Sequence, residues 1–451
     1  MIIILSDLHF SDSTTADNIS SYAWPILASQ ISSSIEKNSV KELRIVLLGD
    51  TIDFLRADYW FTNFLDALKG YLPWEGNLDN EFSMNGGKDQ NERYYTDVLN
   101  RIIACEGGIK TFVRCMNELA RKNNSNGLYT KLTYIIGNHD RAVRIYSSLQ
   151  DKIKSLFQDF KEIEIIDNLK DENYSLLARH GHEWDDLNNG WEIYNYVNGN
   201  NPPIGELDTR SLNVQTFGEV STIELMSGIV YYIKSELISK NILNENQDFL
   251  QSIKAISNIR PMMNVFKWLA WLSLNQDDTK KEIITNSLKK AMDSFVNSAL
   301  IQRWIEVKTR SAFLRTLVNG VYDAIRDVSY DTIESFIDTL NDILSIFESN
   351  DDIYLKKAEN EFQTEEFKDF QYIVYGHTHF SRNDVFKANA NGKINMYINT
   401  GTFLPAILQA RNAADFYALK HITFGLFYRT DESGSSFPSM DLWNGLRNEV
   451  K

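Results

Sequence analysis

Apolar and β-branched residues gather in short runs, each ending in a polar cluster: IIILSDLH (2–9), RIVLLGD (44–50), LTYIIGNHD (132–140), YSLLARHGH (174–182) and YIVYGHTH (372–379). Such runs predict strands whose C-terminal ends carry the functional residue types, the arrangement of an open α/β sheet with a site at its strand ends. Further strands are predicted at 162–167 (EIEIID), 393–401 (KINMYINTG) and 421–429 (HITFGLFYR), completing a layered sheet core. Apolar residues recur at three- and four-residue steps over 20–36 and 94–121, which predicts helices covering the sheet faces. The stretch 74–90, rich in Asn, Gly and acidic residues, predicts a surface loop.

The pattern changes at residue 187. The 184 residues of 187–370 carry almost no period-2 signal and several amphipathic helical runs, at 219–240, 247–274, 281–320 and 330–349. They predict one all-helical domain inserted into an α/β core made of residues 1–186 and 371–451.

Composition narrows the class. With 43% hydrophobic and 24% charged residues, the 451-residue chain is of the ordinary globular type. Residues 1–10 hold an apolar run with no basic segment before it and no small-residue cleavage site after it, so a strand and a cytoplasmic location are expected. The longest apolar stretch, 262–274, contains Lys267 and falls short of the roughly 20 residues of a spanning helix. The two cysteines, Cys105 and Cys115, are too few for a disulfide framework and lack zinc-site spacing. A net charge of −15 disfavours binding of nucleic acid by the surface as a whole.

Six of the seven histidines, His9, His139, His180, His182, His377 and His379, lie inside the polar clusters at the strand ends. The clusters DLH (7–9), GDTID (49–53), GNHD (137–140), HGH (180–182) and GHTH (376–379) stand in the order that marks the calcineurin-like metallophosphoesterases, and the chain resembles that family over its α/β core. The segment NTGTF (399–403) is similar to the one that follows the GHxH strand in many relatives. The resemblance implies a layered metallophosphoesterase β-sandwich flanked by helices, here with a large helical insertion as a cap. It implies Asp7, His9 and His379 as ligands of one metal, Asn138, His180 and His377 as ligands of a second, and Asp50 as a bridge between them. His139 would face the substrate, stabilising the transition state or protonating the leaving oxygen, and Asp53 would hold the other ring nitrogen of His139.

Imidazole together with carboxylate and amide oxygens suits Mn, Fe, Zn or Ni better than Ca, with manganese the first choice for assay. Two divalent ions against the carboxylates of Asp7 and Asp50 leave a formal charge of about +2, or about +1 with a bridging hydroxide as nucleophile, and such a centre attracts a phosphoryl group. Arg141 and Arg179 flank ligand clusters and serve either to bind phosphate or to pair with an acidic neighbour. His182, where some relatives carry an acidic residue, either touches the metal shell or lines the cleft. His421 is read as structural.

The insertion occupies the place where UDP-diacylglucosamine pyrophosphohydrolases carry a smaller helical cap. Residues 251–315 hold eleven Lys and Arg against five Asp and Glu, so they form either a solvated face or an anion-binding wall. Phe266, Trp268, Trp271 and Trp304 either pack between helices or grip an acyl chain or a base. The expected activity is hydrolysis of a phosphodiester or pyrophosphate in a small nucleotide-like or lipid-linked substrate. A DNA or RNA nuclease is the alternative on the same core, ahead of a protein phosphatase, and a non-catalytic scaffold is the alternative from another class.

Overall fold

β-branched runs alternate their side chains between two faces, and both faces of the central strands are apolar here. In β1 (Ile2–Leu5), Ile3 and Leu5 enter one apolar cluster while Ile2 and Ile4 enter another. In β2 (Glu42–Leu48), Ile45 and Leu47 divide from Val46 and Leu48 in the same way. Strands buried on both faces belong inside a layered α/β fold. The computed structural model shows one, and it describes residues 1–62, 88–191, 194, 209–298, 300–302, 352–388, 393–411 and 415–449.

Two sheets face each other. The larger has β1 and β2 parallel to β3 (Tyr129–Ile135) and β4 (Glu162–Ile166), and it continues from β1 antiparallel through β11 (Phe416–Tyr428) to β10 (Pro405–Gln409), with β12 (Ser439–Glu449) also on β11. The smaller has the parallel trio β6 (Leu176–Arg179), β7 (Tyr372–Tyr375) and β9 (Ile394–Thr400), edged by antiparallel β5 (Asn168–Asp171) and β8 (Ser381–Ala388). Their inner faces share one apolar layer, in which Ile4, Val46 and Ile135 meet Leu176, Val374 and Ile398. The outer face of the larger sheet is covered by the helices Ala23–Lys37, Lys88–Ala104 and Ile109–Ser125.

Three details depart from expectation. The helix predicted over 94–121 is broken near Gly107, where φ of +84° suits glycine and ends the first helix. Residues 88–90, assigned to a loop, begin the helix Lys88–Ala104; the rest of that stretch lies outside the described residues. Strands β5, β8, β10 and β12 were not predicted, because their runs are short or strongly polar.

The described part of 187–370 is helical apart from the bridge between Ile259 and Ile407 of β10. A helix runs from Phe217 through a π-helical stretch, Ser221–Ser227, to Ser239. Gln247–Lys254, Val265–Leu274 and Asp278–Asn297 follow. Their buried residues, among them Ile223, Ile229, Ile253, Phe266, Trp268 and Ile283, share one apolar cluster with Leu8, Phe54 and Trp60. Trp271 packs on Phe416 with the two rings tilted, so Phe266, Trp268 and Trp271 serve helix and sheet packing. The helix Asp352–Gln363 lies on the outer face of the smaller sheet, with Tyr354 and Ala358 against Ile373, Tyr375 and Tyr397. The helix predicted at 330–349 and Trp304 lie outside the described residues. Among the described residues no helix is long and apolar enough to cross a membrane.

Candidate metal centre

Each run read as strand plus polar cluster stops being a strand before the cluster, and in every cluster but GNHD the backbone there turns left-handed. Asp7, His9, Asp50, His377 and His379 have φ of 53°, 47°, 50°, 69° and 64°. That region is uncommon for residues with a Cβ, though least so for Asn, Asp and His. Each such residue costs on the order of 1–3 kcal/mol, which is substantial for five of them against a net stability of about 5–15 kcal/mol. The surroundings must therefore hold them in place. The His9 N–H donates to Asp50 O (2.8 Å) and the Asp7 N–H to Gly49 O (3.2 Å). Asp7 Oδ2 accepts from the His377 N–H (2.9 Å), and Asp50 Oδ1 from the His139 N–H (2.8 Å). These carboxylates lie against backbone that only glycine leaves open: a Cβ on Gly137 would sit 2.2 Å from Asp50 Oδ1, and one on Gly376 would sit 2.6 Å from Asp7 Oδ2.

The NTGTF segment ties the two sheets together at this point. Ser6 Oγ donates to Gly401 O (2.7 Å), Thr402 Oγ1 to Asp7 O (2.7 Å) and Asn399 Nδ2 to Gly376 O (2.6 Å). Phe403 stacks on Trp24 in the core. The segment thus positions the loops that carry Asp7 and His377 and adds no side chain to the cluster itself.

The seven expected ligands converge from five strand ends. Nε2 of His379 lies 3.4 Å from Asp7 Oδ1 and 3.0 Å from His9 Nε2. On the other side, His180 Nε2 lies 3.3 Å from Asp50 Oδ2 and 3.2 Å from Asn138 Oδ1. Asp50 Oδ2 is also 3.7 Å from His9 Nε2, so it stands between the two groups. Three overlapping sets, Asp7–His9–His379, His9–Asp50–His139 and Asp50–His180–His377, each have their ligand atoms within 4.8 Å of one another, and these buried His and Asp groups could hold a metal ion. The donor chemistry fits as well. Asp7 Oδ1 and His377 Nδ1 are buried without a hydrogen-bond partner, which is rare for buried polar atoms and is what a metal ligand needs.

Outer partners orient the rings. His180 Nδ1 donates to Leu48 O (2.9 Å), which turns Nε2 inward. Asp53 sits 2.9 Å from His9 Nδ1 and 3.0 Å from His139 Nδ1, while Arg56 Nε lies 3.0 Å from the same carboxylate. His139 is partly exposed and turns Nε2 towards Asp50 Oδ2, 4.0 Å away. Asp185, which the sequence reading overlooked, lies 2.9 Å from His377 Nε2, and that contact leaves Nδ1 free. An acidic residue five positions past His180 was the available signal. Asp140, inside GNHD, accepts from Thr51 N–H (3.0 Å) and from Tyr134 and Gly137, fixing that turn.

Charge differs across the cluster. Burial, with the nearby Arg56 charge, lowers His9 to about 3, and burial with the Arg260 charge pushes His379 well below the usual imidazole range. For His180 burial acts downwards, but Asp50 and Asp7 outweigh it and raise the ring to about 10. Burial likewise opposes the charged form of His139, and the carboxylates of Asp53 and Asp50 prevail, holding it above the usual imidazole range. Burial raises Asp7 to about 6. It acts the same way on Asp185, but hydrogen bonds from His377 and Asn188 overcome it and keep the group at about 2.

The two arginines singled out in the sequence are both engaged. Arg141 forms a two-pronged pair with Glu219 and donates to Asn213 O (2.7 Å); Arg179 lies 3.0 Å from Glu361. They fasten two segments of 187–370 beside the centre. His182 is buried, its ring 5.3 Å from that of His180 and its Nδ1 3.6 Å from Glu183, and burial lowers it to about 4. Of the basic stretch, Lys290 pairs with Glu236 and Lys254 donates to Ser13 O, while Arg310 and Arg315 lie outside the described residues. Arg260 is different: its guanidinium lies 2.6 Å from His379 Nδ1, and nothing in its sequence surroundings signals this. Burial and the Arg56 charge lower it to about 9, so it remains a cation at neutral pH. The sequence matches no protein-family model and no curated protein.

Proposed function

We propose that the chain is a dinuclear-metal-dependent phosphoesterase that hydrolyses a phosphodiester or pyrophosphate bond in a small nucleotide-like or lipid-linked substrate. The observation that carries this reading is the convergence of Asp7, His9, Asp50, His180, His377 and His379 into overlapping groups, with Asn138 on His180, at strand ends where five of these residues are held in costly left-handed conformations. On this reading the facing sheets are the metallophosphoesterase core and 187–370 is its cap. Asp7, His9 and His379 hold one ion and Asn138, His180 and His377 the other, with Asp50 shared. Manganese is the first candidate, with iron, zinc and nickel as the others. When bound, two such ions supply Lewis-acid polarisation of the phosphoryl group and acidify water.

The chain's own groups do the rest. Asp53 fixes the His139 ring through Nδ1, so that Nε2 turns towards Asp50 at the partly exposed edge of the cluster. The carboxylates of Asp53 and Asp50 favour the charged ring against burial, and that is the form that can give a proton to the leaving oxygen. The net charge of −15 favours a small substrate over a nucleic acid. Elemental analysis after manganese loading, with an aryl phosphodiester assay, tests the proposal. Two equivalents of metal and metal-dependent hydrolysis are expected. Protein that takes up none of the four metals and hydrolyses no phosphoester would overturn it.

A further inference from the structure

We infer that Arg260 is a phosphoryl-binding residue of the centre proposed above, held on His379 until that ring takes a metal and then released to an anionic oxygen of the substrate. The inference rests on the phosphoesterase reading and adds to it a residue from the 187–370 segment. Arg260 is placed firmly. Ile259 bridges Ile407 of the edge strand β10, and the Arg260 N–H donates to Ile407 O at 2.8 Å. The side chain is buried, and Nη1 donates to Ser257 O (3.0 Å) and Ile259 O (2.8 Å). Among the described residues Nη2 faces only His379, at 2.6 Å from Nδ1 and 3.4 Å from Nε2.

A guanidinium has five N–H donors and no acceptor, so at this contact Nδ1 must accept, which puts the ring proton on Nε2. Yet Nε2 is the atom that faces His9 Nε2 at 3.0 Å and Asp7 Oδ1 at 3.4 Å, the ligand position of its group. A metal there takes the place of that proton, and the neutral ring then carries its proton on Nδ1. Two donors would now confront each other, and the contact cannot persist. Among the described residues no carboxylate lies within ion-pair distance of Arg260, and Asp7, whose charge reaches it, would be committed to the metal on this reading. A buried cation without an ion-pair partner, beside an added metal charge, is unfavourable. An anionic phosphoryl oxygen has the lone pairs to accept from both His379 Nδ1–H and Arg260 Nη2–H, and phosphate matches the guanidinium fork. Arg56, the other guanidinium nearby, already pairs with Asp53.

The test uses the full chain, manganese-loaded and manganese-free, with inorganic phosphate as the probe in titration calorimetry and metal content measured on the same samples. Loaded wild type should bind phosphate and manganese-free protein should bind it at least tenfold more weakly. Arg260→Met should keep two equivalents of metal and lose roughly 10- to 100-fold in phosphate affinity, the scale of one charge-assisted hydrogen bond. Arg260→Lys, which keeps the charge without the fork, should fall between. Equal affinity in loaded wild type and Arg260→Met overturns the inference, as does equal affinity with and without manganese. If Arg260→Met loses its metals, the Lys variant decides, and phosphate affinity unchanged from wild type again overturns the inference. Failure of the phosphoesterase reading looks different: wild type that holds two metals and binds phosphate through Arg260 yet cleaves no phosphoester sinks that reading and leaves the arginine's role intact.

Discussion

The Asp7–His9–His379 group and the Asp50–His180–His377 group lie side by side, yet opposite charges brace them. Around the first stand guanidiniums: Arg260 on His379, and Arg56 behind the carboxylate that holds His9. Around the second stand carboxylates, with Asp50 on His180 and Asp185 on His377. Burial, aided by the nearby cations, keeps the first pair of rings neutral, whereas anions nearby outweigh burial and keep His180 protonated. A metal entering the first pocket would meet neutral rings but would have to displace the Arg260 contact on His379; one entering the second would meet carboxylates but a proton to displace. Two pockets built from the same residue types thus differ in what limits metal binding.

The largest expected effect is at the residue common to both. Asp50→Asn should abolish hydrolysis and reduce bound metal in both pockets, a loss beyond the roughly 100-fold that removal of an outer partner causes. An active variant with two full equivalents of metal would remove Asp50 from the shared position. His139→Ala comes next, because its ring belongs to neither of the two metal groups and is partly exposed beside Asp50. Both metals should remain while the rate falls by about 10²–10⁴. The loss should be smaller for a p-nitrophenyl than for an alkyl diester, and equal losses would exclude His139 as the acid.

Proton competition separates the pockets most directly. His180, at about 10, is protonated throughout the neutral range and must release one proton to ligate, so affinity at the second pocket should fall about tenfold for each pH unit lost. Between pH 8 and 6 that amounts to about 100-fold. His9 and His379 stay neutral over this range, and Asp7 gains a proton only towards pH 6, so the first pocket should weaken little until then. Manganese titrations at both pH values read the two slopes, and equal slopes would end the distinction. Asp185→Asn should likewise weaken only the second pocket and Asp53→Asn chiefly the first, each by about 10–100-fold in metal affinity.

How much of this was legible in the sequence follows from how each contact is made. The ligand clusters could be read because each follows a strand directly, and parallel neighbours such as β1, β2 and β3 bring their C-terminal ends together. Asp53 lies three residues from Asp50 and was within reach of the same local logic. Arg260 was not, since it reaches His379 through a bridge to β10, a strand too short and too weakly patterned to be predicted. Arg141 and Arg179 were ambiguous for a related reason. Their partners, Glu219 and Glu361, are 78 and 182 residues away, and nothing local says whether a cation beside a ligand meets a carboxylate or a phosphate.

The smallest expected effect concerns the basic stretch of the 187–370 segment, offered by its charge alone as an anion-binding wall. Lys290 is half exposed and pairs with Glu236 across two helices, whereas Arg260 is buried at the ligand cluster. An exposed pair contributes about 0–1 kcal/mol, and its cation already has a partner. Lys290→Glu sets two acidic groups against each other, so the unfolding midpoint should drop slightly, by no more than about 1 kcal/mol in stability. Phosphate affinity and KM for a diester should stay within about twofold of wild type, since no charge changes near the centre. A several-fold rise in KM with metal content unchanged would show that remote cations of this segment also steer substrate. Arg260 would then be one part of a broader cationic path, and the guanidinium at the ligand cluster would no longer account for substrate binding by itself.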